Sequence, residues 1–111
     1  MMHGPAGIAV YKPKPGQARA LEDLLAEHVP TLRQEELATS RSVVLLRSDD
    51  GSYIEIFEWA SGHSPGKAHE NGRVRALWDR IAAVAERKCL ADLPSAHHNF
   101  PQFDPIEDVV S

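Results

Sequence analysis

Three short stretches of the chain are rich in apolar residues, and each predicts a β-strand. Residues 6–12 are AGIAVYK, residues 41–48 are RSVVLLRS and residues 52–60 are SYIEIFEWA. Successive side chains of a strand point to opposite faces, so Tyr53, Glu55, Phe57 and Trp59 are predicted on one face of the third strand. The turn between the last two strands contains Asp50-Gly51, and glycine adopts positive φ without strain, so these strands are predicted to form a hairpin.

The first helix is predicted over residues 17–29, where apolar residues recur at intervals of three and four. Pro30 is expected to end or kink this helix, because proline lacks a backbone N–H and clashes with the preceding turn. The next residues are expected to add one or two helical turns and then a loop before the second strand.

A second helical region is predicted to begin at Ser64-Pro65, because serine caps helices and proline suits the first helical turn. Asn71-Gly72 interrupts it, and a longer helix is predicted over residues 73–88. Its buried stripe is expected to comprise Val74, Leu77, Trp78, Ile81, Val84 and Ala85.

The element order β-α-β-β-α-β predicts an α+β fold of the ferredoxin-like type. This fold has a four-stranded antiparallel sheet with both helices on one face. The fourth strand is expected within residues 100–108. That range belongs to an irregular C-terminal segment, residues 90–111, which contains three prolines. The whole chain, residues 1–111, is expected to form one domain.

Composition excludes several classes of partner. The 111 residues carry a net charge of −4 and no run of Lys or Arg, which excludes nucleic acid and anionic membrane surfaces. No apolar stretch reaches the roughly 18 residues of a membrane span, and residues 1–7 do not resemble a signal peptide. The single Cys89 cannot form an internal disulfide, so a cytoplasmic location is expected.

The candidate chemistry is concentrated in residues 58–78, which hold both tryptophans. Trp59 ends a strand and is suited to pack the sheet edge, to line a pocket, or both. Histidine is the residue type suited to proton transfer near neutral pH, so His69 is a candidate for proton transfer or for a structural hydrogen bond. Trp78 lies on the apolar stripe and is expected to be mainly core. Tyr11, at the end of the first strand, is a half-buried strand aromatic or a pocket residue.

Two other polar residues occupy apolar patterns. His28 continues the stripe of the first helix and is expected to be a buried, hydrogen-bonded core histidine. Glu55 lies on an aromatic strand face and needs a partner if that face is buried, for which Arg41 or Arg47 is the expected choice. The alternative is that Glu55 is a polar anchor for a ligand. The spacing of the six histidines shows no ligand pattern, so no metal and no cofactor are expected.

Three motifs together carry a family resemblance. They are Y-x-P-x-P-G before the first helix, L-L-R-S-D-D-G-S-Y-I-E-I-F-E-W-A-S across the hairpin, and A-H-E-N with V-R-A-L-W in the second helical region. Over residues 8–85 the chain resembles the dimeric α+β barrel superfamily, and within it the antibiotic biosynthesis monooxygenase-like (ABM domain) proteins.

The resemblance implies a homodimer in which two sheets pack through their helix-free faces. We expect the strand face that carries Tyr53, Glu55, Phe57 and Trp59 to be the surface covered in this way, because it is too apolar to leave exposed. The resemblance also implies a small-molecule pocket between each sheet and its helices.

The activity implied by the resemblance is cofactor-independent oxidation of a small aromatic compound by O₂. His69 would take a phenolic proton, and the ligand would contact Tyr11, Phe57, Trp59 and Trp78. The haem-degrading branch of the family is disfavoured, because residues 6–12 lack its asparagine and residues 73–88 lack its histidine. A non-enzymatic ligand-binding or structural dimer and an isomerase or decarboxylase on the same fold are the alternatives.

Overall fold

The computed structural model describes residues 3–107, which form one five-stranded antiparallel sheet and three α-helices. The elements are β1 (Ala6–Pro13), α1 (Ala18–Gln34), β2 (Val44–Arg47), β3 (Tyr53–Glu58), α2 (Ser64–Glu70), α3 (Gly72–Val84), β4 (Ala85–Lys88) and β5 (Asp104–Pro105). The predicted α+β class and antiparallel sheet are confirmed, whereas the prediction of four strands is wrong. Residues 108–111, which belong to the expected C-terminal segment, and residues 1–2 lie outside the described residues.

The strand order across the sheet is β4-β1-β3-β2-β5. Strand β1 pairs with β3 from Ala6 to Tyr11, but with β4 only from Val10 to Pro13. Because β4 is short, the first half of β1 has no strand on its β4 side. This open edge lies beside the site described below.

The predicted helix over residues 73–88 ends four residues early. Ala85 has extended backbone angles of φ −152° and ψ 159°, and the chain continues as β4 along β1. The sequence Ala-Glu-Arg-Lys suits a helix by local propensity, so only the pairing with β1 makes it a strand. The last strand falls in the predicted range as the short β5, which pairs with β2.

Helix α1 continues through Pro30 to Gln34, which is the further helical turn expected after the proline. Its buried stripe extends beyond the proline to Leu32, and burial of that stripe offsets the missing backbone hydrogen bond. Asn71 separates α2 from α3 as predicted, and its side chain accepts a hydrogen bond from the Val74 amide. None of the helices in residues 3–107 is long and apolar enough to cross a membrane.

The aromatic face of β3 packs under the helices of its own chain. Tyr53 belongs to a core cluster with residues of α1 and α3, and Phe57 belongs to a second such cluster. The expectation that a partner subunit covers this face is therefore wrong. Successive side chains of β3 point to opposite faces of the sheet, which divides them into two sets. Both sets are mainly apolar, so the sequence pattern does not indicate which set packs against the helices.

The opposite face of the sheet is covered only in part. Val10 and Ile54 are buried there against Leu93 of the C-terminal segment. Ile8 and Val44 are 50% and 44% exposed, and both pair in register with Ile56 of the strand between them. These three residues form an apolar row across the sheet, which we call the helix-free row.

Candidate functional site

A carboxylate lies buried between the sheet and α1. Glu55 of β3 has no exposed surface, and His28 of α1 is 4% exposed. His28 Nδ1 lies 2.9 Å from Glu55 Oε1 and 3.1 Å from Oε2. The hydroxyl of Tyr11 on β1 donates to Glu55 Oε1 at 3.0 Å. A carboxylate removed from water is thus held by two donors from different elements.

The indole of Trp78 on α3 determines which ring nitrogen of His28 carries the proton. Trp78 Nε1 lies 2.9 Å from His28 Nε2, and an indole N–H can only donate. His28 Nε2 is therefore the acceptor, and the ring proton is on Nδ1, from which it is donated to Glu55. Trp78, His28, Glu55 and Tyr11 form one series of hydrogen bonds that converges on the Glu55 carboxylate, and we call it the buried polar chain.

Each member of the buried polar chain occupies a core position of its own element. Glu55 lies between the buried Tyr53 and Phe57 on the same face of β3. In the sheet register it lies opposite Ala9 of β1. His28 belongs to the buried stripe of α1. Within residues 3–107 no buried side-chain nitrogen or oxygen lacks a hydrogen-bond partner. The polar groups of the core therefore supply one another's hydrogen bonds, so removal of one group leaves its neighbours without that partner.

Burial raises the pKa of Tyr11 well above its usual value, and the neighbouring Glu55 carboxylate raises it further. Tyr11 therefore keeps its proton near neutral pH and remains a donor to Glu55. The Arg87 guanidinium acts in the opposite direction on this pKa and lies 5.5 Å from the centre of the Tyr11 ring. That distance is within the range of cation–π attraction.

A cavity of about 200 Å³ borders the buried polar chain. An apolar cavity of about 150 Å³ is enough to hold benzene, so this volume suits a small aromatic molecule. A second cavity of about 70 Å³ shares Tyr11, Trp78 and Arg87 with it. The larger cavity is lined by Gly7, Ile8, Ala9, Tyr11, His28, Phe57, Trp59, Trp78 and Arg87.

Aromatic rings form most of the cavity wall. Phe57 and Trp59 have ring centres 4.8 Å apart at 67°, and His28 meets Phe57 edge-on at 5.8 Å. Gly7 allows Trp59 to approach β1, since a Cβ at that position would lie 2.9 Å from Trp59 Nε1. A side chain at position 7 would displace the indole and change the shape of the cavity.

The sequence-predicted residues Tyr11, Phe57, Trp59 and Trp78 all line this cavity. His69 is not among its lining residues. The His69 side chain is exposed, and its ring packs edge-on against Trp78 with a centre-to-centre distance of 5.0 Å. The expectation that Trp59 and His69 face one cavity is therefore wrong, and a catalytic role of His69 stays a prediction.

Three contributions to the site were missed by sequence reasoning. Glu55 was expected to pair with Arg41 or Arg47, but Arg41 binds Glu58, at 2.8 Å, and Glu55 binds His28. The available signal was a carboxylate and an imidazole that both occupy apolar patterns, since two buried polar groups tend to satisfy each other. The other two, Gly7 and Arg87, have no such signal. Arg87 falls in the segment that was expected to be helical.

The described residues offer no alternative centre for metal chemistry, because residues 3–107 contain no group of three or more His, Cys, Asp or Glu that could hold a metal ion. The candidate site is the cavity together with the buried polar chain, because aromatic walls and hydrogen-bonded titratable groups meet there.

Comparison of the chain with protein-family models, with curated proteins and with solved structures finds no significant match.

Proposed function

We propose that the protein binds a small aromatic compound and oxidises it with O₂ without a cofactor, as an antibiotic biosynthesis monooxygenase-like protein would. The observation that carries this proposal is an aromatic-walled cavity of about 200 Å³ in direct contact with the buried polar chain. Aromatic walls suit a planar apolar ligand, and hydrogen-bonded titratable groups beside it suit proton transfer.

The fold part of the proposal is a ferredoxin-like domain of the dimeric α+β barrel type. Its support is the strand order β4-β1-β3-β2 together with the helical segments that follow β1 and β3. The short strand β5 is then an addition at the β2 edge, and the break at Asn71 divides the second helical segment into α2 and α3.

The chemistry requires a proton acceptor for a phenolic or acidic C–H substrate. We assign this role to Glu55, which receives the Tyr11 proton over 3.0 Å while Tyr11 takes the proton of the substrate. The resulting substrate anion is electron-rich and reacts with O₂. For an anthrone, the ring CH₂ becomes a carbonyl, one oxygen atom enters the product, and the other leaves as water with the two hydrogens.

Replacing Glu55 with glutamine tests this assignment. Glutamine keeps the shape and an acceptor oxygen but is a poor proton acceptor, so turnover of an anthrone or phenol substrate should fall by about 10²-fold or more. Ligand affinity should change much less. The measurement is oxygen uptake at saturating substrate, with binding followed separately by tryptophan fluorescence.

The matched variant is His69→Gln, which alters an exposed histidine outside the cavity. We expect it to retain most of the turnover. A large loss in His69→Gln together with full activity in Glu55→Gln would assign proton transfer to His69 instead.

A second candidate function is non-enzymatic binding of the same class of ligand. It is favoured by the hydrogen bonds that already occupy Glu55 and both ring nitrogens of His28. A network whose hydrogen bonds are all made within the protein stabilises the core and makes it rigid, which is a structural role. Binding of phenols or anthrones without any oxygen uptake would support this candidate.

We further propose that the chain forms a homodimer through the helix-free row of Ile8, Ile56 and Val44. Ile8 and Val44 leave about half of their surface exposed in the single chain. Apolar side chains aligned across three strands are a surface that a second copy can cover. A stable interface would bury more than about 1,200 Å² in total.

Val44→Glu should convert a dimer to a monomer, because it places a charge within the apolar surface that the second copy covers. The measurement is light scattering at micromolar concentration, with Val44→Thr as the isosteric control. A monomeric unmodified protein under these conditions would refute the dimer.

A further inference from the structure

The cavity carries hydrogen-bond donors that the buried polar chain does not use. One is the indole N–H of Trp59, which has no hydrogen-bond partner among residues 3–107. Its nitrogen is not fully buried, because no fully buried side-chain nitrogen among these residues lacks a partner. Because Trp59 also lines the cavity, this donor is available to a ligand at the cavity wall.

A second donor is the backbone of Ile8. The bond from the Lys14 amide to the Val84 carbonyl extends the β1–β4 ladder and shows that even-numbered residues of β1 direct their amides towards β4. Since β4 ends at Lys88, opposite Val10, the Ile8 amide has no strand beside it. Ile8 lines the cavity, so its N–H borders the same space.

The third donor is Arg87, which is charged. It lies directly across from Tyr11 in the register of β1 and β4, and it lines both cavities. Among the described residues no carboxylate oxygen lies within 4.0 Å of its guanidinium, whereas its neighbour Glu86 pairs with Lys88 at 3.1 Å. Within residues 3–107, a positive charge therefore faces the cavity without a counter-charge.

Acidic side chains are absent from the lining of both cavities in the described part of the chain. Glu55 lies beneath the cavity with no exposed surface, and its oxygens are engaged by His28 and Tyr11. The ligand thus meets aromatic faces, three donors and one unpaired cation. This combination stabilises an anionic oxygen and disfavours a cationic ligand.

We infer that the ligand is an aromatic anion, such as an arene carboxylate or a phenolate, whose acidic group binds Arg87 while its ring lies against Phe57, Trp59 and Trp78. This inference rests on the proposed function, because it assumes that the cavity holds an aromatic compound. The N–H groups of Trp59 and Ile8 supply further hydrogen bonds to the oxygen substituents.

Two matched probes test the inference: 2-naphthoate, which is anionic, and 2-naphthalenemethanol, which is neutral and similar in size. Binding is measured by isothermal calorimetry at low salt and by quenching of Trp59 and Trp78 fluorescence. A charge-assisted contact should make the carboxylate bind at least about tenfold more tightly than the alcohol. Arg87→Gln should remove this preference, with a much smaller effect on binding of the alcohol.

Arg80→Gln is the control, because Arg80 is a half-exposed arginine of α3 that pairs with Glu27 and lines neither cavity. It should keep the full preference for 2-naphthoate. Equal binding of the two probes, or a preference that survives in Arg87→Gln, would overturn the inference and leave the proposed function standing. Failure of both probes and of phenols and anthrones to bind would overturn the proposed function as well.

Discussion

Replacement of His28 by leucine is expected to lower the free energy of unfolding by about 3–5 kcal/mol. Leucine fills the space in the stripe of α1, but it removes the donor that holds the fully buried Glu55 carboxylate at 2.9 Å. It also leaves the indole N–H of Trp78 without its acceptor. Two groups then remain in the core with incomplete hydrogen bonding. Urea denaturation followed by circular dichroism measures the loss.

The controls for this prediction separate loss of the polar contact from loss of a histidine. His63→Leu changes an exposed loop residue and should alter the free energy of unfolding by less than about 0.5 kcal/mol. The double variant His28→Leu with Glu55→Leu should recover much of the stability, because replacing both buried partners by apolar groups is often close to neutral. A loss of less than about 1 kcal/mol in the single variant would contradict the buried polar chain.

Truncation of Trp78 to alanine is the second large effect, with an expected loss of about 3–5 kcal/mol. The Trp78 ring packs against both helix-side core clusters and donates to His28, so the variant creates a cavity and removes a buried hydrogen bond. Thermal and urea unfolding measure the loss. Trp78→Phe keeps most of the apolar contact and isolates the hydrogen bond, which should account for about 1–3 kcal/mol.

Trp59→Ala is the comparison for Trp78→Ala. Trp59 packs against only one of these core clusters and lines the cavity, so its truncation should cost less stability and more affinity for an aromatic ligand. If Trp59→Ala were as destabilising as Trp78→Ala and left ligand affinity unchanged, the tryptophan at the end of β3 would be a packing residue and not a cavity wall.

The hairpin shows why part of the fold was predictable. Residues 52–60 are rich in aromatic and β-branched residues over a full strand, and Gly51 has the positive φ, 86°, that the Asp-Gly pair indicates. Both signals lie within a few residues of the structure they specify. The same holds for Asn71, whose side chain caps α3 three residues later in the chain.

The residues 85–88 show why another part was not predictable. Their local sequence continues the helical pattern, and their strand conformation depends on hydrogen bonds to β1, more than seventy residues earlier in the chain. Arg87 reaches the cavity only because of this pairing. A helix through the same residues would have placed it elsewhere.

The sequence by itself determined the α+β class, the hairpin, the two helical regions and the separation of β3 side chains into two sets, because these depend on local periodicity and turn chemistry. Only the tertiary structure decided that the set with Glu55 lies under the helices, and that His28, 27 residues away in the chain, is its partner. It also placed Trp78, fifty residues from His28, as the donor that sets the histidine tautomer. Contacts at such separations follow from how whole elements pack, and no local pattern of residues encodes them.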